Sequence, residues 1–364
     1  MDKVRKIEEY ISLALRDEVL SSIPSEKRDL YLALVENERK HLLENVETTT
    51  SQHIDRLASI FLPTITKLMR ESFIDKLVGV QPIQDNVGVV FYADFLYSET
   101  GSGAVQGESA IDKVTTDYTI APPEGTQITR GFDIVIRMMP VQAITRKVLT
   151  KFTIEAEESA EKHNINLDRE LIRLSSQKIV EEINYELLRD LYNVATTLGT
   201  WTAPPTSATP DVKDRAEKEL YYVIEDVVMQ IAERSNRIPN WIVVSPKVAS
   251  ILKRANVFVA RDTGIPKAIS TLYYAGTLMD ELQVYVVYKL GAILPPNRQN
   301  DILVGFKGSN EMEAGAFFLP YIPLKVLDRF VDPNTWTVLR SLGSSYAKVI
   351  TLPQLYGRIE VQGL

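Results

Sequence analysis

Cysteine is absent from the 364-residue chain. That excludes disulfides and thiolate metal sites, and it leaves packing alone to hold the fold. The expectation is assembly in a reducing cytoplasm. Histidine is scarce: His41, His53 and His163. No two of them make an H-x-x-x-H pair, so a zincin-type helix is excluded. A serine triad would have to recruit one of these three, and each sits in a segment that reads as helical or charged. There is no G-x-S-x-G elbow either. Long apolar runs are also missing. Trp241-Ile242-Val243-Val244 and Val284-Tyr285-Val286-Val287-Tyr288 are far too short to span a bilayer. The first residues, Met1-Asp2-Lys3-Val4-Arg5-Lys6, lack the apolar core of a signal peptide.

What is present is an ordinary folding composition, 45% apolar and 24% charged. A chain of this length buries about 75% of its unfolded surface and commonly forms two domains. Forty-eight acids outnumber 41 Lys and Arg, for a net charge of −7. Tight duplex binding needs clustered cations. Here they alternate with acids, as in Lys27-Arg28-Asp29 and Glu38-Arg39-Lys40, which reads as a salt-bridged helix surface.

Residues 1–47 read as two charged helices. Val4, Ile7, Ile11 and Leu15 recur at helical spacing. Pro24 is expected to stop the first helix, and Ser25 to cap a second that carries Leu30, Leu34 and Leu42. A small helical subdomain and an assembly arm fit this pattern equally. Thr48-Thr49-Thr50-Ser51 reads as a hinge, with helix resuming over 52–76 around Ile54, Leu57, Ile60 and Phe61.

From Val87 the period becomes two. Val87, Val89, Phe91, Ala93, Phe95 and Tyr97 alternate, and Phe132, Ile134, Ile136 and Met138 share one face of a return run. Strands joined by some thirty weakly apolar residues predict a long projecting hairpin that a neighbouring molecule orders. Gly101-Ser102-Gly103-Ala104-Val105-Gln106-Gly107 lacks the ending and spacing of a phosphate loop, so it reads as the hairpin tip. Ile144, Val148 and Phe152 mark another strand. Glu155, Glu157, Glu158 and Glu161 could do acid/base work only in a pocket that nothing in the sequence indicates. They read as a solvated or intersubunit charge row. Asn166 is expected to cap a helix over 167–197, with Leu171, Leu174, Ile179, Ile183, Leu187, Leu191 and Val194 along one side. Gly199 to Pro210 reads as a linker. An α/β pattern follows: helix 212–235, strand 241–245, helix 246–255, and strands 283–288 and 302–306.

The most distinctive stretch is Val304-Gly305-Phe306-Lys307-Gly308-Ser309-Asn310-Glu311-Met312-Glu313-Ala314-Gly315, which runs into Ala316-Phe317-Phe318-Leu319-Pro320-Tyr321-Ile322-Pro323-Leu324. A short β-run enters it, a polar Gly-rich turn interrupts it and an aromatic strand leaves it. It resembles a segment near the end of the major capsid proteins of T-even-type tailed phages. Three further segments are similar to that family, in the same order: Gly79-Val80-Gln81-Pro82-Ile83, Val180-Glu181-Glu182-Ile183-Asn184-Tyr185-Glu186, and Asn240-Trp241-Ile242-Val243-Val244-Ser245-Pro246-Lys247-Val248. Asp332-Pro333 and Tyr356-Gly357 also fit, so the resemblance covers about residues 70–357.

The resemblance implies an α+β chain with the tailed-phage and herpesvirus major capsid fold (HK-ninety-seven type). Its parts would be a helical N-terminal extension at 1–50, an N-arm at 51–86 and an E-loop hairpin at 87–138. A peripheral domain with a long spine helix would occupy 139–211 and 304–364, and an axial domain 212–303. It implies a structural subunit, not an enzyme, forming hexamers and perhaps pentamers of an icosahedral or prolate head. Such a head encloses double-stranded DNA without sequence-specific binding. Scaffold, portal, vertex and decoration proteins are the implied partners, and the virion is the implied location. No catalytic, cofactor or metal residue is assigned. Three readings stand beside it: a paralogue confined to fivefold vertices, an enzyme with an unrecognised site in the α/β lobe at 212–303, and a different virion structural protein such as a tail component. Family members often lose an N-terminal segment after a Leu/Ile-x-Glu pattern. Leu34-Val35-Glu36 and Leu42-Leu43-Glu44 fit it, though the expectation is an uncleaved chain. The expectation from its length is a chain without the inserted domain of larger members.

Overall fold

A computed structural model describes residues 2–21, 23–44, 74–108, 131–163, 165–205, 207–254, 258–260, 272–278, 282–327 and 329–364. The Thr48–Ser51 hinge, most of the 52–76 helix, His53 and hairpin residues 109–130 lie outside the described residues.

The chain opens with helices α1 (Asp2–Ala14), α2 (Asp17–Ser21) and α3 (Arg28–Glu44). Ile7 and Ile11 are buried as expected, together with Tyr10 and Ala14, whereas Val4 and Leu15 are exposed. The helix ends at Ala14, so Leu15 falls off the stripe. Ser25 caps nothing: it lies in a 3-10 turn, Ser25–Lys27, and its carbonyl accepts from the N–H of Arg28. A short helix, α4 (Ile74–Leu77), precedes β1 (Gly79–Val80), β2 (Val87–Tyr97), β3 (Phe132–Gln142) and β4 (Ile144–Thr153).

Helix α5 (Ile154–Glu161) follows, its first turn capped by the Thr153 side chain. Next comes α6 (Leu167–Val194). Asn166 Oδ1 accepts from the N–H of Arg169 at 2.9 Å, the predicted cap. At 1.5 Å per residue, α6 is about 42 Å long. Its buried side is Ile172, Ile179, Ile183, Leu187, Leu188, Leu191 and Tyr192, while Leu174 and Val194 are exposed. The five-residue step from Leu174 to Ile179 breaks the 3.6-residue period, and Leu174 turns outward.

The remaining elements are β5 (Thr196–Thr202), α7 (Pro210–Ser235), β6 (Trp241–Val244), α8 (Pro246–Arg254), β7 (Phe258–Ala260), β8 (Leu272–Leu278), β9 (Leu282–Val287), α9 (Leu290–Ile293), β10 (Ile302–Gly305), β11 (Ala316–Val326), β12 (Phe330–Asp332), β13 (Thr337–Ile350) and β14 (Tyr356–Gln362). The predicted linker therefore begins inside a strand. Thr196–Thr202 pairs in parallel with β14, and Pro210 is already the first residue of α7. Gly199 and the following prolines carry turn signals, but the Thr and Trp residues favour a strand, and Trp201 is buried and anchors it.

Among the described residues the strands form three sheets. The hairpin β2–β3 is a two-stranded ladder, paired without a shift from Val87↔Gln142 to Tyr97↔Phe132. A five-stranded sheet has the order β1-β11-β13-β12, with β4 on the other side of β13. A seven-stranded sheet has the order β5-β14-β10-β6-β9-β8-β7. Both faces of this last sheet are covered. Ile242, Val244, Val284, Val286, Ile302 and Val304 share one core with Leu220, Ile224, Val227 and Ile231 of α7. Trp241, Val243, Tyr285 and Leu303 share the other with α6 and with Ile7, Tyr10 and Tyr31 of the N-terminal helices. This explains why β6 reads as an unbroken apolar run.

Gly305 sits directly beneath the Trp241 ring, where a Cβ would collide with it. Gly305→Ala should therefore lower unfolding free energy by about 1–3 kcal/mol in a denaturant titration, the usual cost of overpacking. Gly131→Ala, whose Cβ would meet nothing nearer than 3.6 Å, should stay within about 0.5 kcal/mol of the parent.

Candidate assembly surfaces and the joint that carries them

The polar Gly-rich turn is where the two large sheets join. β10 ends at Gly305 in the seven-stranded sheet, and β11 begins at Ala316 in the five-stranded one. Between them Lys307 bridges to Ala314, and the N–H of Gly308 donates to the carbonyl of Glu313 at 2.7 Å. Asn240 grips the turn from the foot of β6. Its Nδ2 donates to the Lys307 carbonyl at 2.6 Å, and its Oδ1 accepts from the Lys307 N–H at 3.1 Å. Glu311 reaches the other way, accepting from the N–H of Val80 at 2.6 Å and pairing with Lys307 Nζ at 3.1 Å. The strand that holds Val80, β1, lies parallel to β11 with Gly79 opposite Phe317. A Cβ on Gly79 would lie 2.6 Å from the Glu311 carbonyl oxygen, so the close approach requires glycine.

Gln81 then fixes the hairpin. Its side chain donates to the Phe91 carbonyl (2.9 Å) and accepts from the Phe91 N–H (3.2 Å), mimicking a strand partner. At the root, Ile83, Val90, Ala143, Phe317, Leu319 and Ala347 form a small core. Beyond it, nothing among the described residues covers the other hairpin face. Val87, Val89, Phe91, Phe132, Ile136 and Met138 lie on one side of the ladder and are all exposed, Met138 at 68%. Exposed apolar patches of this kind mark contact surfaces.

A second apolar patch caps the far end of the five-stranded sheet. Phe330, Val331 and Trp336 are exposed around the β12–β13 turn, Trp336 at 63%. The turn is tightly built. Asp332 accepts from the N–H of Asn334 (3.0 Å) and the hydroxyl of Thr335 (2.7 Å), and its carbonyl accepts from the N–H of Trp336 (3.0 Å). Trp336 has φ +53°, the left-handed region that costs a non-glycine residue about 1–2 kcal/mol. A rigid, exposed aromatic is a suitable anchor for a partner.

An ionic cluster braces α6 against the five-stranded sheet. Glu186 accepts from Arg146 of β4, from the Tyr346 hydroxyl (2.5 Å) and from Lys348 Nζ (2.6 Å), and Lys348 also pairs with Asp190. Burial alone would raise the Glu186 carboxyl. The hydrogen bonds from Lys348, Tyr346 and Arg146 outweigh it and bring the group down to about 2. On the opposite side of α6, the Tyr192 hydroxyl lies 3.3 Å from the carbonyl of Val243 and 3.2 Å from that of Asp301.

The two described histidines, His41 and His163, do not share a site. His41 Nε2 lies 2.9 Å from Lys325 Nζ, and His163 is exposed beyond α5. Of the acidic run, Glu157 makes two bonds to Arg329 (2.7 and 2.6 Å), while Glu155, Glu158 and Glu161 are exposed. Among the described residues no helix is long and apolar enough to cross a membrane. Sequence reasoning missed the Arg146–Glu186–Lys348 brace and the Phe330/Trp336 patch. The one available signal for the patch was two aromatics flanking a polar Asp-Pro-Asn-Thr turn.

The joint explains the resemblance. Gly79–Ile83 meets Glu311 and Phe317, and Asn240-Trp241 meets Gly305 and Lys307, so three of the four similar segments converge in space. Residues 121–362 match the family model "Major capsid protein Gp23". The chain belongs to the Gp23 major capsid protein family. Gly79–Ile83 lies before the matched range. The chain is similar to the major capsid protein of Vibrio phage KVP40, 29% identical over 210 residues, covering 51% of this chain and 39% of the relative. It is also similar to that of Enterobacteria phage T4, 26% identical over 234 residues, covering 57% and 42%. The chain thus spans less than half the length of the relatives it matches. A comparison of backbones gives a TM-score of 0.49 at 8% identity with the mature capsid of bacteriophage PhiM1, covering 80% of this chain and 88% of the other.

Glu186→Ala should cost about 1.5–3 kcal/mol, the loss of hydrogen bonds to charged partners. Glu186 lies below the ordinary carboxyl value of 4.5, so its stabilisation is present above about pH 4.5 and is lost as pH falls towards about 2. Thermal melts across that range should show the parent losing stability more steeply than Glu186→Gln.

Proposed function

We propose that the protein is a structural subunit of a tailed-phage head, many copies of which close a shell around double-stranded DNA. The observation that carries this reading is the uncovered apolar face of β2–β3. Transferring a Val, Ile, Phe or Met from water to a packed surface is worth about 1.5–3 kcal/mol each, and six such side chains stand on one face. The hairpin would be the E-loop and α6 the spine helix, with the N-arm in the 51–86 stretch. The five-stranded sheet would form the peripheral domain. The axial domain would be the seven-stranded sheet with α7 and α8, which adds β5 and β14 to residues 212–303.

The placement of the two apolar patches supports a ring. β3 runs into β4 through Ala143, and the Phe330/Trp336 turn adjoins the far end of β4. From Met138 to Thr153 the contour is about 50 Å at ~3.3 Å per residue. A contact between the hairpin of one copy and the sheet end of the next is head-to-tail, and such contacts close into rings when the rotation fits. Hexamers, with pentamers at vertices, are the rings we infer. Each contact can be modest because closure sums many. A net charge of −7 suits a container that does not grip its cargo. We assign the chain no catalytic role. Scaffold, portal, vertex and decoration proteins are its proposed partners, and the virion its proposed location after assembly in the host cytoplasm. Copy number per particle distinguishes this subunit from a vertex-only paralogue.

Electron microscopy of the purified chain, with and without a scaffold protein, should show rings or closed shells. Val87→Asp with Met138→Asp, which are not cross-strand partners, should leave the thermal midpoint of the free subunit within about 2 °C, because both side chains are well exposed, yet abolish the particles. A chain that stays monomeric across a wide concentration range in both settings would overturn the proposal.

A further inference from the structure

The N-terminal helices meet the hairpin's root through one buried side chain. Asn37 of α3 donates from Nδ2 to the carbonyl of Ile83 (2.8 Å) and to that of Tyr321 on β11 (3.1 Å). Ile83 lies four residues before the start of β2. Its N–H donates to the Pro320 carbonyl at 3.2 Å, and its side chain fills the space where a Cβ on Gly88 would lie. Three residues on, the Asn86 carbonyl accepts from the N–H of Ala143 at 2.8 Å and closes the root. One amide thus connects α3, the five-stranded sheet and the point from which β2–β3 departs.

The next residue makes the attachment conditional. Glu38 is buried, and its Oε2 has no hydrogen-bond partner. Among the described residues, the titratable groups placed against it are Tyr10 on α1 with Tyr31 beside it, Lys325 on β11 and, one turn along its own helix, His41. An ionised carboxylate with an unsatisfied oxygen is costly in such a place, whereas the neutral acid is tolerated.

We propose that α1–α3 form a latch on the hairpin root: seated, Asn37 fixes the direction in which β2–β3 leaves the sheet; unseated, the root pivots at Ile83 and Ala143. Ionisation of Glu38 opposes seating. Burial pushes its carboxyl up to about 8, with Lys325 only partly offsetting the rise. The seated value lies above the ordinary 4.5, so the contribution to seating is complete below about pH 4.5 and is lost as pH rises through about 8. The device lies within one chain and does not rest on the shell reading.

Hydrogen exchange on the full chain, kept dilute and unassembled and corrected for intrinsic rates, tests it. In Asn37→Ala the root amides of β2–β3, such as those of Val90 and Val141, should exchange at least about tenfold faster, with β6 and β10 unchanged. Between about pH 6 and pH 8.5 the parent's protection in α1–α3 should fall at least about tenfold, and in the isosteric Glu38→Gln it should stay level. Unchanged root exchange in Asn37→Ala would overturn the latch, as would a Glu38→Gln protein that keeps the parent's pH dependence. If Asn37→Ala loses protection in β6 and β10 as well, it has failed to fold, and the Glu38→Gln comparison decides.

Discussion

A single helix has to hold two sheets at once, and the rest of the molecule depends on how α6 does so. Its apolar side packs into the core shared with Trp241, Val243 and Leu303. Its Glu186 gathers Arg146, Tyr346 and Lys348 from the neighbouring sheet. Apolar packing alone would let a helix slide by a turn against a sheet at little cost. A carboxylate that must meet three donors on two strands allows one register. Ion pairs of this kind are weak arguments for stability, because desolvation offsets attraction. Their contribution here is to specificity: the two sheets keep one relative position.

The Lys307–Glu311 turn completes that constraint from the other side. It passes between the sheets, and Asn240 and Glu311 hold it at both ends. A Gly-rich, polar stretch looks like a loop free to vary, yet here the absent Cβ at Gly305 admits the Trp241 ring and the one at Gly79 admits the Glu311 backbone. Three of the four segments that resemble the capsid family therefore lie at the joint of the body. They do not mark the outer surfaces where copies would touch. Contact surfaces can be rebuilt among relatives provided both partners change together; a joint inside one chain has less freedom.

How much was legible follows the same division. β2 and the cap and course of α6 could be read because each depends on local chemistry: strict alternation in one case, Asn166 and a one-sided apolar row in the other. The Gly199–Pro210 stretch misled because its glycine and prolines carry turn propensity, while its threonines and Trp201 favour a strand and pairing with β14 makes Thr196–Thr202 one. β7 and β8 were not foreseen: Leu272–Leu278 mixes Tyr, Gly and Thr without a clear period, and its strand character comes from lying between β7 and β9. Burial was the least legible property. Val4, Leu15 and Leu174 fit their patterns and are exposed, whereas Asn37 and Glu38 look like solvent-facing residues of a charged helix and are buried. Only the fold brings Ile83 and Tyr321 within reach of Asn37.

The N-terminal segment gains a definite character from this. Sequence left it open between a small subdomain and an assembly arm. Ile7, Tyr10, Ile11, Tyr31 and Leu42 belong to the same core as α6 and the two sheets, so α1–α3 are part of the body they touch. That bears on the two Leu-x-Glu patterns. A protease binds its substrate as an extended strand. Leu34 and Val35 are buried in the middle of α3, so cutting after Glu36 requires the helix to unfold first. Glu44 is the last residue of α3, and a cut there would leave the buried face of the helix in place. If seating of α3 sets the hairpin's direction, the helix that buries Leu34 and Val35 also fixes, through one amide, how β2–β3 leaves the sheet.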